Sequence, residues 1–249
     1  MTHSRNSLLY WYPKLKDLGI PTPKTEIVEL KNQHSELIPV CDGDMTPLEP
    51  NWKEILQKAR KIGFPLFMRT DEFSGKHNWK KTCYVEKEEN LKQNLYHLIE
   101  DNFCADIIGL PIRAIVLREF IPMKTLFTAF YGDTPVNPEI RFFIKDGEVL
   151  CWHWYWIEDA IERGTPKDKL PFDWKYRLED AKKKYLSGND LLWLTNDVRK
   201  IAEKFDGYWS VDFCMSKDNR WILIDMAEGH KSWHPNCKFK EVKGNSSQP

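Results

Sequence analysis

Two short runs near the end of the chain, Tyr208–Met215 and Trp221–Met226, constrain the fold more than any other feature. Each is rich in β-branched and aromatic residues, and the link Lys217-Asp218-Asn219-Arg220 has turn chemistry, so the runs read as a β-hairpin. A tight loop of two or four residues makes the hairpin symmetric about the Asp218–Asn219 bond. Asp212 then lies directly opposite Asp225. Trp209, Val211, Phe213 and Met215 share one face, and Tyr208, Ser210, Asp212 and Cys214 the other. On the returning strand, Ile222, Ile224 and Met226 share a face and Trp221, Leu223 and Asp225 the opposite one. Like charges directly opposed destabilise a sheet. The pair therefore calls for a cation, a shared proton, or an Arg or Lys between the carboxylates. The competing reading is a shifted register or an Asp212–Lys pair. Magnesium holding substrate phosphates suits two carboxylates, and Glu228 would add a third.

Other segments have clear periodicity. Asn51–Ile62 carries Trp52, Ile55, Leu56, Ala59 and Ile62 on one helical stripe, with Asn51 as its expected cap and Gly63-Phe64-Pro65 as its stop. Leu66–Arg69 reads as a strand, Glu88–Asp101 as a helix, and Ile112–Ile121 and Leu126–Tyr131 as strands. Glu139–Lys145 and Glu148–Trp156 form a hairpin about Asp146-Gly147. Helices are expected over Tyr10–Leu18, Asp173–Leu186 and Asn189–Phe205, and a short strand over Glu26–Leu30. The implied division is a short N-terminal module over 1–47, one α+β unit over 48–120, a second over 121–237, and a loose tail over 238–249.

Candidate anion-binding groups sit in the first unit. Arg69 ends a strand, and Thr70, Ser74, Gly75 and Lys76 follow in a loop whose small residues let backbone N–H groups approach phosphate. The pattern is not G-x-x-x-x-G-K-[ST], so a P-loop is excluded. In the second unit Arg141 shares a face with Phe143 and Lys145, and the Asp146-Gly147 register sets it opposite Trp152, where it would stack on the indole. Trp152, Trp154 and Trp156 alternate with His153 and Tyr155. Core packing against a helix is favoured for them over a base-stacking platform. His230, His234 and Cys237 have plausible zinc spacing but no partner Cys pair. Lys145-Asp146-Gly147 lacks one residue of the nucleotidyl-lysine ligase motif and reads as a turn.

With 37 basic and 37 acidic residues the chain has no formal charge, which argues against a protein that coats nucleic-acid phosphates. No apolar run reaches the roughly 18 residues of a membrane helix. The N-terminus is too short in its apolar run and too charged for a signal peptide. Six scattered cysteines are expected as free thiols in a reducing cytoplasm.

Taken in order, the segments resemble the ATP-grasp superfamily over roughly residues 51–235, which implies an α+β fold of two subdomains clasping ATP. "ARKIGFPLFMR" is similar to the helix, turn and strand that end in a phosphate-binding Lys, here Arg69, as in phage and bacterial branches with Arg there. "TDEFSGKHNW" takes the place of the flexible glycine-rich lid. "IVLREFIPM" is similar to the hinge strand, which implies that Glu119 binds the nucleoside side and that Phe120 and Ile121 meet the adenine edge. "EIRFFIKDGEV" implies a terminal-phosphate contact for Arg141. "GYWSVDFCMSKDNRWILIDMAEG" is similar to the closing hairpin whose acidic residues hold magnesium. Asp225-Met226-Ala227 departs from the family's Glu-x-Asn ending, so the Asn ligand is absent.

The resemblance implies ATP and Mg²⁺ as cofactors, with Arg69, Thr70, Ser74, Gly75, Lys76, Glu119, Phe120, Ile121 and Arg141 around the nucleotide. Asp212, Asp225 and Glu228 would hold metal, and Arg141 and Lys76 would act in catalysis. The implied reaction joins a small-molecule or peptide carboxylate to an amine through an acyl phosphate; no residue stands out as its general base. One branch of the superfamily is instead a non-ligating assembly factor for a translation initiation factor, and the short N-terminal module favours that alternative, with a protein client. An RNA-binding role for the Trp-rich strand ranks lower, because the charge balance does not call for it. Asp225→Ala is expected to weaken magnesium-dependent binding while leaving or raising stability.

Overall fold

The computed structural model describes residues 4–105, 110–131 and 134–235, and the tail over 238–249 lies outside them. Helix α1 (Leu8–Leu15), strand β1 (Thr25–Glu29) and the short α2 (Ile38–Cys41) lead into α3 (Glu49–Ile62), β2 (Leu66–Thr70), β3 (Tyr84–Val85) and α4 (Leu91–Phe103). Strands β4 (Ala114–Glu119), β5 (Phe127–Ala129), β6 (Thr134–Val136), β7 (Glu139–Lys145) and β8 (Glu148–Trp154) follow. The chain continues through α5 (Glu158–Gly164), α6 (Trp174–Lys184), α7 (Gly188–Ala202), β9 (Tyr208–Met215) and β10 (Trp221–Glu228). One antiparallel sheet has the order β1-β4-β2-β3, a second β10-β9-β7-β8, and β5-β6 form a small ribbon. The architecture is α+β, as expected.

Each sheet buries one face. The stripe Ile55, Ala59, Leu91, Leu95 and Leu98 packs α3 and α4 onto Leu66, Met68, Ile115 and Leu117 of the first sheet. On the second sheet Phe142, Trp209, Val211 and Phe213 meet Leu8 and Trp11 of α1 and Leu194, Val198 and Ile201 of α7. A third cluster joins Phe127, Val136, Trp156, Ile161, Trp174 and Leu178, binding the ribbon to α5 and α6. Residues 1–47 are distributed between these layers: β1 pairs with β4 in the first sheet, while α1 belongs to the second core. Trp152 and Trp154 pack against the second core, as their alternation predicts for core residues.

Asn51 does not cap α3. The helix begins at Glu49 with Pro50 in its first turn, where the missing N–H leaves no bond unmade. Asn51 is buried one turn in, accepting from Lys31 N at 3.1 Å and donating to Glu29 O at 3.0 Å, so it fastens α3 to the exit of β1.

The closing hairpin brings Asp212 opposite Asp225, as the sequence predicts, but by a different route. Asn219 adopts a left-handed φ of 62°, and Asn219 N–H donates to Ser216 O at 3.0 Å. The loop is therefore odd, and Trp221, Ile222 and Leu223 face Met215, Cys214 and Phe213. A regular strand in that register would set Ile224 against Asp212. A bulge between Leu223 and Asp225 shifts the pairing by one residue. Leu223 and Met226 consequently both reach the core, and Asp225 leaves the core-facing side that strict alternation from Trp221 and Leu223 assigns to it.

The β7–β8 turn has the positive φ values of a type I′ hairpin at Asp146 (47°) and Gly147 (90°). An irregularity beyond Ile144↔Val149 makes Leu150 the extra residue. Arg141 therefore faces His153, not Trp152, which corrects the expected indole stack.

Candidate nucleotide-binding site

A cavity of about 300 Å³ opens between the two sheets, at the small end of the range for ligand pockets. β2 and β4 of the first sheet supply Arg69, Arg118 and Glu119, and β7, β9 and β10 of the second supply Glu139, Arg141, Asp212 and Asp225. Phe120 and Ile121, where the chain leaves β4, line it too, as do Ser74, Lys76, Trp79, Tyr155 and Ile224.

One wall is ionic. Arg141 grips Asp212 through two bonds of 2.7 Å, from Nε and Nη2. Arg69 Nη1 reaches Asp225 Oδ1 at 2.9 Å, crossing from the first sheet to the second. The opposed carboxylates are thus each matched by a guanidinium. Lys76 Nζ donates to the Tyr155 hydroxyl at 2.8 Å. Burial acts to lower the Lys76 ammonium, but Tyr155, Glu139 and Asp212 together hold its pKa above the ordinary lysine value. Burial likewise opposes the charge on Arg141, and Asp212 outweighs it. Arg118 donates from Nη1 to Ile224 O at 2.5 Å, so the carbonyl of the bulge residue is used. Burial first and Arg69 second bring Arg118 down to about 10.

Glu139 is buried, and its Oε1 has no hydrogen-bond partner among the described residues. Burial pushes its carboxyl up to about 7, with Lys76 and Arg141 opposing and Asp212 reinforcing. The other wall is aromatic. Trp79 lies 5.8 Å from Phe67 and 6.2 Å from Phe120, and stacks on Tyr84 at 5.8 Å. Such a cavity can hold a flat ring at one end and a multiply charged anion with its cation at the other.

Of the residues singled out in the sequence, Arg69, Ser74, Lys76, Glu119, Phe120, Ile121, Arg141, Asp212 and Asp225 line this cavity. Three others do not. Thr70 is buried, donating to Asn102 Oδ1 at 2.8 Å and accepting from Phe73 N at 3.0 Å, so its hydroxyl shapes the loop. Gly75 has φ +63°, and a Cβ there would come within 2.9 Å of Leu98 Cδ1, so packing requires the glycine. Glu228 lies on the opposite face of β10 from Asp225 and is held by Arg5 Nε at 3.2 Å and Asn6 Nδ2 at 3.2 Å. Among the described residues no three His, Cys, Asp or Glu side chains gather as a metal cage. The loop after β2 is not a free lid: Asp71 accepts from Ser7 Oγ at 2.6 Å and Arg113 N at 2.9 Å, and Thr134 Oγ1 donates to Lys76 O at 3.0 Å.

Sequence reasoning misses Arg118, Glu139 and Tyr155. The alternation that assigns Arg141 and Phe143 to one face also assigns Glu139 to it, so a signal for Glu139 exists. Tyr155 follows β8 in a bend, where alternation gives no direction. Of the candidate zinc set, His234 instead meets the Tyr208 hydroxyl at 2.6 Å, and Cys237 lies outside the described residues. Cys41, Cys83, Cys104 and Cys214 are free thiols, whereas Cys151 is disulfide-bonded, which corrects the expectation of free thiols throughout. Among the described residues no helix is long and apolar enough to cross a membrane.

The architecture is similar to solved ATP-grasp structures. The biotin carboxylase domain of Hydrogenobacter thermophilus 2-oxoglutarate carboxylase, in complex with MgADP, ADP and bicarbonate, superposes with a TM-score of 0.53 at 16% identity, over 89% of this chain and 39% of that one. C-terminally truncated Cdc123 from Schizosaccharomyces pombe gives 0.52 at 15% identity, over 90% and 83%. N5-carboxyaminoimidazole synthase from Aspergillus clavatus gives 0.47 at 14% identity, over 89% of this chain but only 43% of that chain. At these identities the likeness speaks for the fold. No curated protein matches in sequence. The model of an ATP-grasp domain family, the third family of its clade, matches residues 56–243. With well over half its length matched, the chain belongs to this family of ATP-grasp domains.

Proposed function

We propose that the cavity binds ATP with Mg²⁺ and that the protein is a cytoplasmic ATP-dependent carboxylate–amine ligase working through an acyl phosphate. The observation that carries this reading is the crossed pair Arg69–Asp225 and Arg141–Asp212 at the ionic wall of a cavity whose other wall is aromatic. Guanidiniums and Lys76 match an oligophosphate, and opposed carboxylates match the cation that accompanies it. The donor set fits magnesium: Asp212 and Asp225 would hold it, and Glu139, with its unpartnered Oε1, is the next carboxylate on that face. Bound metal would supply charge neutralisation at phosphoryl oxygens.

Arg69, Lys76 and Arg141 would hold phosphate oxygens, and Glu119, Phe120 and Ile121 would face the nucleoside. The ionic groups already neutralise one another in pairs. A phosphate with its cation lets each guanidinium exchange a carboxylate for a phosphate, so no charge is left buried and unpaired. The second substrates would be a small-molecule or peptide carboxylate and an amine.

A non-ligating assembly factor with a protein client is the second reading. It is favoured by the lack of a third donor at Ala227 and by the engagement of Glu228 with Arg5 and Asn6. Calorimetric titration with a non-hydrolysable ATP analogue, with and without Mg²⁺, tests the shared core of both readings. Magnesium-dependent binding is expected, and no binding in either condition overturns it. ADP release that rises when carboxylates and amines are supplied together separates the ligase from the assembly factor.

A further inference from the structure

Tyr155 joins the two cations that reach the cavity from different parts of the chain. Its hydroxyl accepts from Lys76 Nζ at 2.8 Å, and its ring centroid lies 4.4 Å from the same ammonium. The Arg141 guanidinium carbon lies 4.5 Å from that centroid. The residue itself is anchored, since its N–H donates to Glu139 O at 2.9 Å. Lys76 belongs to the loop after β2 and Arg141 to β7, so no backbone pairing fixes the distance between their charges.

We infer that Tyr155 is a positioning residue that sets the spacing of Lys76 and Arg141, and that it thereby confers selectivity for nucleoside triphosphate over nucleoside. The inference rests on the nucleotide reading of the cavity. Cation–π attraction to two charges and a hydrogen bond to one hold both side chains in a single arrangement before phosphate arrives. That ordering lowers the entropic cost of binding, which only a ligand with phosphates can exploit.

Titrate the full chain and its Y155F and Y155L variants, in Mg²⁺, with a non-hydrolysable ATP analogue and separately with adenosine, and record thermal melting for each. Tyr155→Phe keeps the ring and loses the hydroxyl, so the triphosphate should bind about 5-fold more weakly. Tyr155→Leu loses both, and the expected loss is on the order of 50-fold. Adenosine affinity should stay within about twofold of the parent in both variants, since the aromatic wall is untouched. Triphosphate binding by Y155L within about twofold of the parent overturns the inference, as does an equal loss for both ligands, which marks a merely structural role. If the parent binds neither ligand, the nucleotide reading itself falls, and that result is distinct from both.

Discussion

Asp225 and Glu139 show how far single residues are set by their partners. The sequence alone treats Asp225 as one of two repelling charges, so its removal should cost nothing. The structure reverses that expectation, because the Arg69 side chain is 5% exposed and leans on Asp225. Asp225→Ala strands a buried guanidinium and should lower stability by about 1–3 kcal/mol, the lower part of the range for broken buried pairs because Asp225 is 35% exposed. Urea unfolding of the ligand-free protein reads this directly, and an unchanged midpoint would remove the ion pair from the account. Glu139 gives a pH signature. Burial raises its carboxyl from 4.5 to about 7, so the folded state holds the proton more tightly than the unfolded chain. The resulting stabilisation is present below about 4.5 and is lost as pH rises through about 7. Glu139→Gln should flatten that decline in denaturant midpoints. Glu139 is legible from alternation. The paired state of Asp225 is not, since Arg69 lies 156 positions away in the sequence.

At the scale of elements, periodicity locates the helices and strands well, and errors arise where side chains or extra residues intervene. β7 and β9 span the residues their alternation predicts, because both faces of each strand are spoken for. The α3 stripe is legible, while the role of Asn51 is not, since a cap and a buried tertiary bond use the same side-chain chemistry. Asn51→Ala should cost about 1–3 kcal/mol through two lost bonds to the β1 exit, measured by chemical unfolding. A loss of only a few tenths would fit surface solvation instead. Both hairpins contain irregularities that simple counting misses. Antiparallel counting from a turn assumes one residue opposite one, and a bulge breaks that assumption without any marker in composition. The opposed Asp pair survives the miscount because the odd loop and the bulge at Ile224 cancel. Strand β3, two residues long, and the ribbon strand β6 carry too few residues for any period to register.

At the scale of the whole molecule, the two sheets are tied at several points around the cavity. Arg69 to Asp225 crosses between them. The first described residues do so as well: Ser7 binds Asp71 beside β2 while Asn6 binds Glu228 at the end of β10. Ligand in the cavity should therefore protect both sheets together. Hydrogen exchange with the ATP analogue should slow amides of β4 and of β9–β10 in step, and protection confined to one sheet would contradict a shared site. The general resemblance to ATP-grasp proteins is legible because several short motifs occur in order. Which motif residues reach the cavity is not, because Thr70, Gly75 and Glu228 are each claimed by packing or by a distant partner.

The matched ion pairs also bear on kinetics. Arg69, Lys76, Arg118 and Arg141 stand against Glu119, Glu139, Asp212 and Asp225 around one cavity, in a chain with no formal net charge. An approaching polyanion consequently meets little long-range field, because opposite charges a few ångströms apart cancel beyond a Debye length of about 8 Å. Capture then depends on collision and on local exchange of partners, without electrostatic steering. Stopped-flow association rates for the ATP analogue should change by less than about threefold between low and physiological ionic strength, whereas a strongly steered site would lose far more.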